Sequence, residues 1–150
     1  MTIMETIEII DTPEGPMETF VARPEAPATT AVFVYMDVFG LRNEIYDFAR
    51  AFAQEGMIGI APDLFHRLPV SRFTPADQKH EKVNPAAFAG NIGTSLEMSQ
   101  SDTETVIRWS DEGGAGLVES DLAWRHEARL IDVRRGVRVT DDVEVPFHAL

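Results

Sequence analysis

Ala31-Val32-Phe33-Val34-Tyr35-Met36 is apolar at every position, and Met57-Ile58-Gly59-Ile60-Ala61 repeats that pattern before Pro62-Asp63 closes it. A half-exposed strand alternates apolar and polar residues. A strand apolar on both faces is expected in a parallel sheet covered by helices on each side. Between the two runs, Ile45, Phe48, Ala49, Phe52 and Ala53 recur at i, i+3, i+4, i+7 and i+8, one apolar stripe along a helix. Asn43 reads as its N-cap, Glu44 lies near the positive end of its dipole, and Gly56 stands at the C′ position. Strand, helix and strand make a βαβ unit, which predicts two parallel strands with a right-handed crossover. Asp37-Val38-Phe39-Gly40 is the turn between the first strand and the helix.

Upstream, Ile7, Ile9 and Ile10 form a β-branched run that ends in Asp11-Thr12-Pro13-Glu14-Gly15-Pro16. Two prolines and a glycine disfavour continued strand or helix, so this cluster reads as a six-residue turn. Glu18 to Arg23 then resumes in strand fashion, which suggests an N-terminal hairpin. Downstream, Thr74-Pro75-Ala76-Asp77 and Asn84-Pro85 are helix starts. Ser101-Asp102-Thr103-Glu104 is a capping box, and a helix is placed over about 99–111, with Met98, Val106 and Trp109 sharing a face. Leu117 to Ile131 has helical composition without a clean stripe. Gly136 to Val145 sets Val-Arg-Val and Val-Glu-Val on either side of Thr140-Asp141-Asp142, the pattern of a hairpin.

Composition excludes much. The 150 residues are 44% apolar and 25% charged, as in a single globular domain. A formal net charge of -12 argues against nucleic acid and anionic membrane as partners. The chain has no cysteine, so disulfides, thiolate nucleophiles and cysteine-ligated metals are excluded. No metal or cofactor is expected. No apolar run nears the roughly 20 residues of a membrane-spanning helix. Met1 to Glu8 carries two acids and no base, unlike a signal peptide. A cytoplasmic protein is the expectation.

The run Val34-Tyr35-Met36-Asp37-Val38-Phe39-Gly40-Leu41-Arg42, Phe48-Ala49-Arg50, Gln54-Glu55-Gly56, Ala61-Pro62-Asp63-Leu64-Phe65 and Arg67 together resemble the dienelactone hydrolase family of α/β-hydrolases. The resemblance covers residues 1–112. It implies a partial, mostly parallel α/β-hydrolase-like sheet with an N-terminal hairpin and flanking helices. It also implies hydrolysis of small carboxylic esters or lactones by a nucleophile–His–Asp triad, with a cysteine or serine nucleophile on a strand-to-helix elbow. One oxyanion-hole donor would be the backbone N–H of Val38. The side chain of Asp37 would lie near the nucleophile, where the better-known members carry the longer Glu. Phe39 and Arg67 would border the substrate. Each has a second reading. An Asp after a buried strand often caps the following turn, and Arg67 can simply pair with a surface carboxylate. Asp63 reads as structural. His66, His80 and His126 read as surface residues, with His66 a candidate for the rim of a cleft.

The elbow itself is missing. Its nucleophile has strained dihedrals, so the residues two before and two after it must be small. Ser95 has Gly93 before it but Glu97 after; Ser110 has Arg108 and Glu112; Ser120 has Val118 and Leu122. Gly113-Gly114-Ala115-Gly116 has the glycines without a nucleophile. An order of Ser120, Asp132 or Asp141, then His148 can be drawn, but a triad is recognised by geometry rather than by order.

Residues 1–112 carry 18 acids against 8 bases, and residues 113–150 carry 7 against 5, with five arginines and no lysine. Single-domain folds of this class run to roughly 200–250 residues. The expectation is therefore a front part over 1–112 and a divergent tail over 113–150, frameshifted or unrelated; the alternative is a genuine short variant whose tail folds onto the half-sheet. Two function classes follow: a small-ester or lactone hydrolase, and a non-enzymatic fragment or small-molecule binding module. Without the nucleophile strand, Ala31–Met36 would present an open apolar edge, and self-association through it is expected.

Overall fold

The structure, a computed structural model, describes residues 2–68 and 93–118, together with the backbone of 131–132 and 137–138. The chain divides into two units, residues 1–119 and 120–150. The first contains strands β1 (Ile3–Thr12), β2 (Gly15–Pro24), β3 (Ala31–Phe33) and β4 (Ile58–Pro62), with helices α1 (Asn43–Gln54) and α2 (Leu96–Asp111). The four strands form one sheet in the order β1-β2-β4-β3. β1 and β2 are antiparallel, as are β2 and β4, whereas β3 and β4 are parallel, with Ala31 opposite Ile58 and Phe33 opposite Ile60. The βαβ unit of the sequence is thus present.

Side chains alternate across the sheet and separate two cores. On one face Met17 and Val21 of β2 and Ile58 and Ile60 of β4 pack with Val106 of α2. On the other, Phe20, Ala22 and Ala61 pack with Ile45, Ala49 and Ala53 of α1. The helices therefore cover opposite faces, as strands apolar on both sides require. α1 approaches β4 closely because Gly59 faces it. A Cβ at Gly59 would lie 2.3 Å from the Ala49 carbonyl oxygen.

Boundaries differ from the sequence reading for local reasons. The hairpin turn is two residues long, Pro13 and Glu14, because Thr12 pairs with Gly15 and Gly15 takes a positive φ of 121°. β3 ends at Phe33, and one further hydrogen bond, Val34 N–H to Ile60 O at 2.7 Å, carries the chain toward the turn. Arg42, not Asn43, is the N-cap residue of α1, and its side chain makes no capping bond. Phe48 lies on the outer side of α1, half exposed, so the buried stripe is Ile45, Ala49 and Ala53. α2 begins earlier than expected, because Ser95 caps it by accepting from the Met98 N–H at 3.2 Å. The helix starts read at Thr74 and Asn84 lie outside the described residues.

In the second unit, β5 (Ile131–Asp132) pairs antiparallel with β6 (Val137–Arg138). This pairing sets Ile131 opposite Arg138, whereas the sequence reading placed a hairpin within Gly136–Val145. Residues 139–145 lie outside the described residues.

Candidate functional site

Parallel strands gather their carboxyl ends on one edge of a sheet, and ligands of such folds bind in the crevice outside those ends. Here two turns occupy that edge. The first follows β3. Asp37 Oδ1 accepts from the Phe39 N–H at 2.9 Å, and the Gly40 N–H donates to the Asp37 carbonyl at 3.1 Å. Arg42 then clamps the carboxylate with its fork, Nη1 to Oδ1 at 2.5 Å and Nη2 to Oδ2 at 2.7 Å. Its guanidinium also lies 5.6 Å from the Phe39 ring centroid. The hydrogen bond to Asp37 raises the Arg42 pKa above its ordinary value. A planar fork on a carboxylate fixes orientation as well as charge. Val38, between two fixed neighbours, is half buried, and its N–H meets no acceptor among the described residues.

The second turn follows β4. Asp63 is buried; its N–H donates to Glu18 O at 2.9 Å and its Oδ1 accepts from the Phe65 N–H at 3.0 Å. That is the structural role the sequence assigned to it. Phe65 packs with Met36, Phe39 and Leu68. The two turns therefore share one apolar wall, and Phe39 belongs to it.

Arg67 points its guanidinium at α2. Its Nη1 and Nη2 donate to Asp102 Oδ2 and Oδ1 at 2.8 and 2.7 Å, and its Nε donates to Glu14 at the hairpin turn. Those bonds hold the Arg67 pKa above its ordinary value, with Asp102 the main cause. The expected pairing with a surface carboxylate is thus present at the exposed Glu14, and a second, fully buried acid, Asp102, joins it. His66 joins the group, its Nε2 lying 3.3 Å from Asp102 Oδ1. Its side chain is only 3% exposed, which corrects the surface reading.

Asp37, Val38 and Phe39 therefore stand together on one turn, while Arg67 is held in a separate buried cluster with Asp102 and His66. Ser95 is engaged in capping α2, and Ser110 is buried within that helix. Ser120, His80, His126, Asp132 and Asp141 with His148 have side chains outside the described residues. The capping-box reading of Asp102 does not reach this role. The available signal was spacing: Asp102, Val106 and Ser110 fall at i, i+4 and i+8 on the buried side of α2. No group of metal-binding side chains occurs among the described residues, and none of their helices is long and apolar enough to cross a membrane.

A hairpin leading into a β3–α1–β4 unit, with an acid-x-x-Gly turn at the carboxyl end of β3, defines part of an α/β-hydrolase sheet. The sequence profile of the dienelactone hydrolase family matches residues 17–108, and the chain belongs to that family. The crystal structure of a protein from Klebsiella pneumoniae subsp. pneumoniae, assigned as a dienelactone hydrolase, is similar with a TM-score of 0.63 and 25% identity. The match covers 76% of this chain and 46% of that one, so the chain spans about half the length of that relative. No curated protein matches the sequence.

Proposed function

We propose that this chain carries the substrate-facing turn of a hydrolase of small carboxylic esters or lactones, and that by itself it turns over neither. The observation behind the first part is the Val38 N–H. It stands on a turn fixed by Asp37, Arg42 and Gly40, and it has no acceptor among the described residues. A preorganised backbone donor of that kind is what an oxyanion hole needs. Asp37 lines the same site and Phe39 supplies its apolar wall. Arg67 would reach a substrate carboxylate only by releasing Asp102, so its part is to anchor the second turn.

The second part rests on chemistry the sequence lacks. Ser95, Ser110 and Ser120 lack the small neighbours of an elbow, Ser101 lies within α2, and Ser95 is committed to capping that helix. The second oxyanion donor, the N–H following a nucleophile, is then missing as well. We ascribe the divergence after residue 112 to a shifted or unrelated reading frame. The coding DNA tests this: a Gly-x-Ser-x-Gly or Gly-x-Cys-x-Gly in another frame is expected, and unrelated sequence in both other frames overturns it.

The site is tested by titrating γ-butyrolactone into the labelled chain and following amide resonances. Shifts centred on Val38 and Phe39 are expected, and shifts confined to other regions overturn the assignment. Hydrolysis of p-nitrophenyl acetate should match the buffer rate. Turnover far above buffer that Ser120→Ala or Ser95→Ala abolishes would show that a nucleophile is in place.

A further inference from the structure

The first unit's sheet ends on two strands of different character. At one end β3 is three residues long, its side chains are half buried, and Val118 donates to Ala28 O at 3.0 Å just before it. At the other end β1 runs ten residues and has no neighbour on its outer side among the described residues. Met4, Ile7 and Ile9 of β1 are 53%, 49% and 58% exposed. Edge strands are normally blunted by charged side chains, lysine above all, by proline or by a bulge. β1 contains no lysine or proline, two of its three acids, Glu5 and Glu8, are paired with Arg50 and Arg23, and its register with β2 is unbroken from Ile3 to Thr12.

The backbone phase of that edge can be read directly. Pro16 and Pro24, which have no N–H, stand opposite Asp11 and Ile3. Thr12 and Gly15 flank the two-residue turn, and the Glu25 N–H donates to Thr2 O at 3.2 Å. The even-numbered residues of β1 are therefore the ones bonded to β2. Ile3, Glu5, Ile7, Ile9 and Asp11 turn their N–H and C=O groups outward.

We propose that this edge docks β1 of a second copy of the chain, antiparallel, about a two-fold axis at Ile7. Residue i then stands opposite residue 14 − i, so Ile7 meets Ile7 and Met4 meets Ile10. Glu5 meets Ile9, Glu8 meets Thr6, and Asp11 meets Ile3, so no acid faces an acid. The register of equal overlap, centred on Glu8, would set Glu8 against Glu8 and Glu5 against Asp11, which like-charge repulsion disfavours. Glu5 is already paired with Arg50 and Glu8 with Arg23. The pairing covers Met4, Ile7 and Ile9 together and continues the sheet across the axis. An isologous contact of this form closes at two chains. The net charge of -12 on each chain opposes the approach at long range, so association strengthens with salt.

The test is light scattering after size exclusion, at low and moderate salt, on the full chain. The wild type should have twice the monomer mass, with more dimer at moderate salt. I7K and I7E should each run as folded monomers, because a like charge would face itself. An equal mixture of I7K and I7E should recover the dimer mass, since Lys then faces Glu. F33K, on the opposite edge, should leave the dimer intact. Ile9→Pro serves if a charge at position 7 disturbs folding, because it removes only an outward N–H. A wild-type monomer, a species larger than two chains, a dimer that survives I7K, or a mixture that stays monomeric overturns the proposal. So does a dimer lost in F33K and kept in I7K, which would place the contact on β3.

Discussion

Arg67 holds both carboxylate oxygens of Asp102, at 2.7 and 2.8 Å, and Asp102 has no solvent exposure. The pair joins the turn after β4 to the buried face of α2, and through Glu14 it reaches the hairpin turn as well. A buried ion pair has a high cost if one partner is removed, and much less if both are replaced by apolar groups. Asp102→Asn should therefore destabilise the fold by roughly 3 kcal/mol in urea unfolding. The double variant Asp102→Leu, Arg67→Leu should recover most of that loss. A single variant within about 0.5 kcal/mol of wild type would mean that water already screens the pair.

Gly59 and Ala49 show how close α1 lies to the sheet. A Cβ at Gly59 would sit 2.3 Å from the Ala49 oxygen and 2.6 Å from its Cα, both backbone atoms that cannot rotate away. Gly59→Ala should push the helix off β4 and lower stability by about 2–3 kcal/mol, the scale of an overpacked core. Gly93→Ala is the control. Nothing lies within 4 Å of a Cβ there, so its effect should be small. Equal effects at the two positions would contradict the close approach.

These two contacts also mark what the sequence could and could not reveal. The runs 31–36 and 57–61 were legible as strands because apolar residues on consecutive positions demand cover on both faces. The helix between them was legible from its stripe, although Phe48 matched the stripe and still faces solvent. The hairpin turn is shorter than its composition predicts, because Pro16, which reads as a breaker, lies within β2. In the sheet it stands where a strand residue needs no N–H toward β1. At the site, Asp37 to Phe39 was legible as one turn because adjacent residues stay together. The Arg67–Asp102 contact joins residues 35 positions apart. Only the helical spacing of an acid with Val106 and Ser110 hinted at it.

Thr19 offers a test of the opposite sign. It is fully buried on the face covered by α2, and its hydroxyl has no hydrogen-bond partner among the described residues. An unsatisfied buried hydroxyl costs about 1–3 kcal/mol. Thr19→Val keeps the shape and removes the orphaned oxygen. The variant should be more stable by about 1 kcal/mol in thermal or urea unfolding. A loss of stability would show that the hydroxyl is satisfied after all.

Glu5 and Arg50 form an ion pair whose pH dependence has a definite sign. Arg50 Nε and Nη2 donate to Glu5 Oε1 and Oε2 at 2.8 and 2.9 Å, and this holds the Glu5 carboxyl below its ordinary range. Arg50 also lies over the Phe20 and Tyr46 rings, which stack at 4.2 Å, so the pair ties β1 to α1. A depressed acid contributes stability that is complete above its unfolded-state pKa and lost as pH falls through the folded one. The Glu5 side chain is 38% exposed, so solvent screens the pair and its contribution is about 0.5 kcal/mol. Glu5→Gln should therefore be less stable than wild type by that amount at pH 7. The gap should hold down to about pH 5 and close below about pH 4, as the wild-type carboxyl takes up its proton. Urea midpoints measured for both chains across that range check it. A gap that persists at pH 3, or widens there, would mean that the glutamate acts through packing and not through its charge.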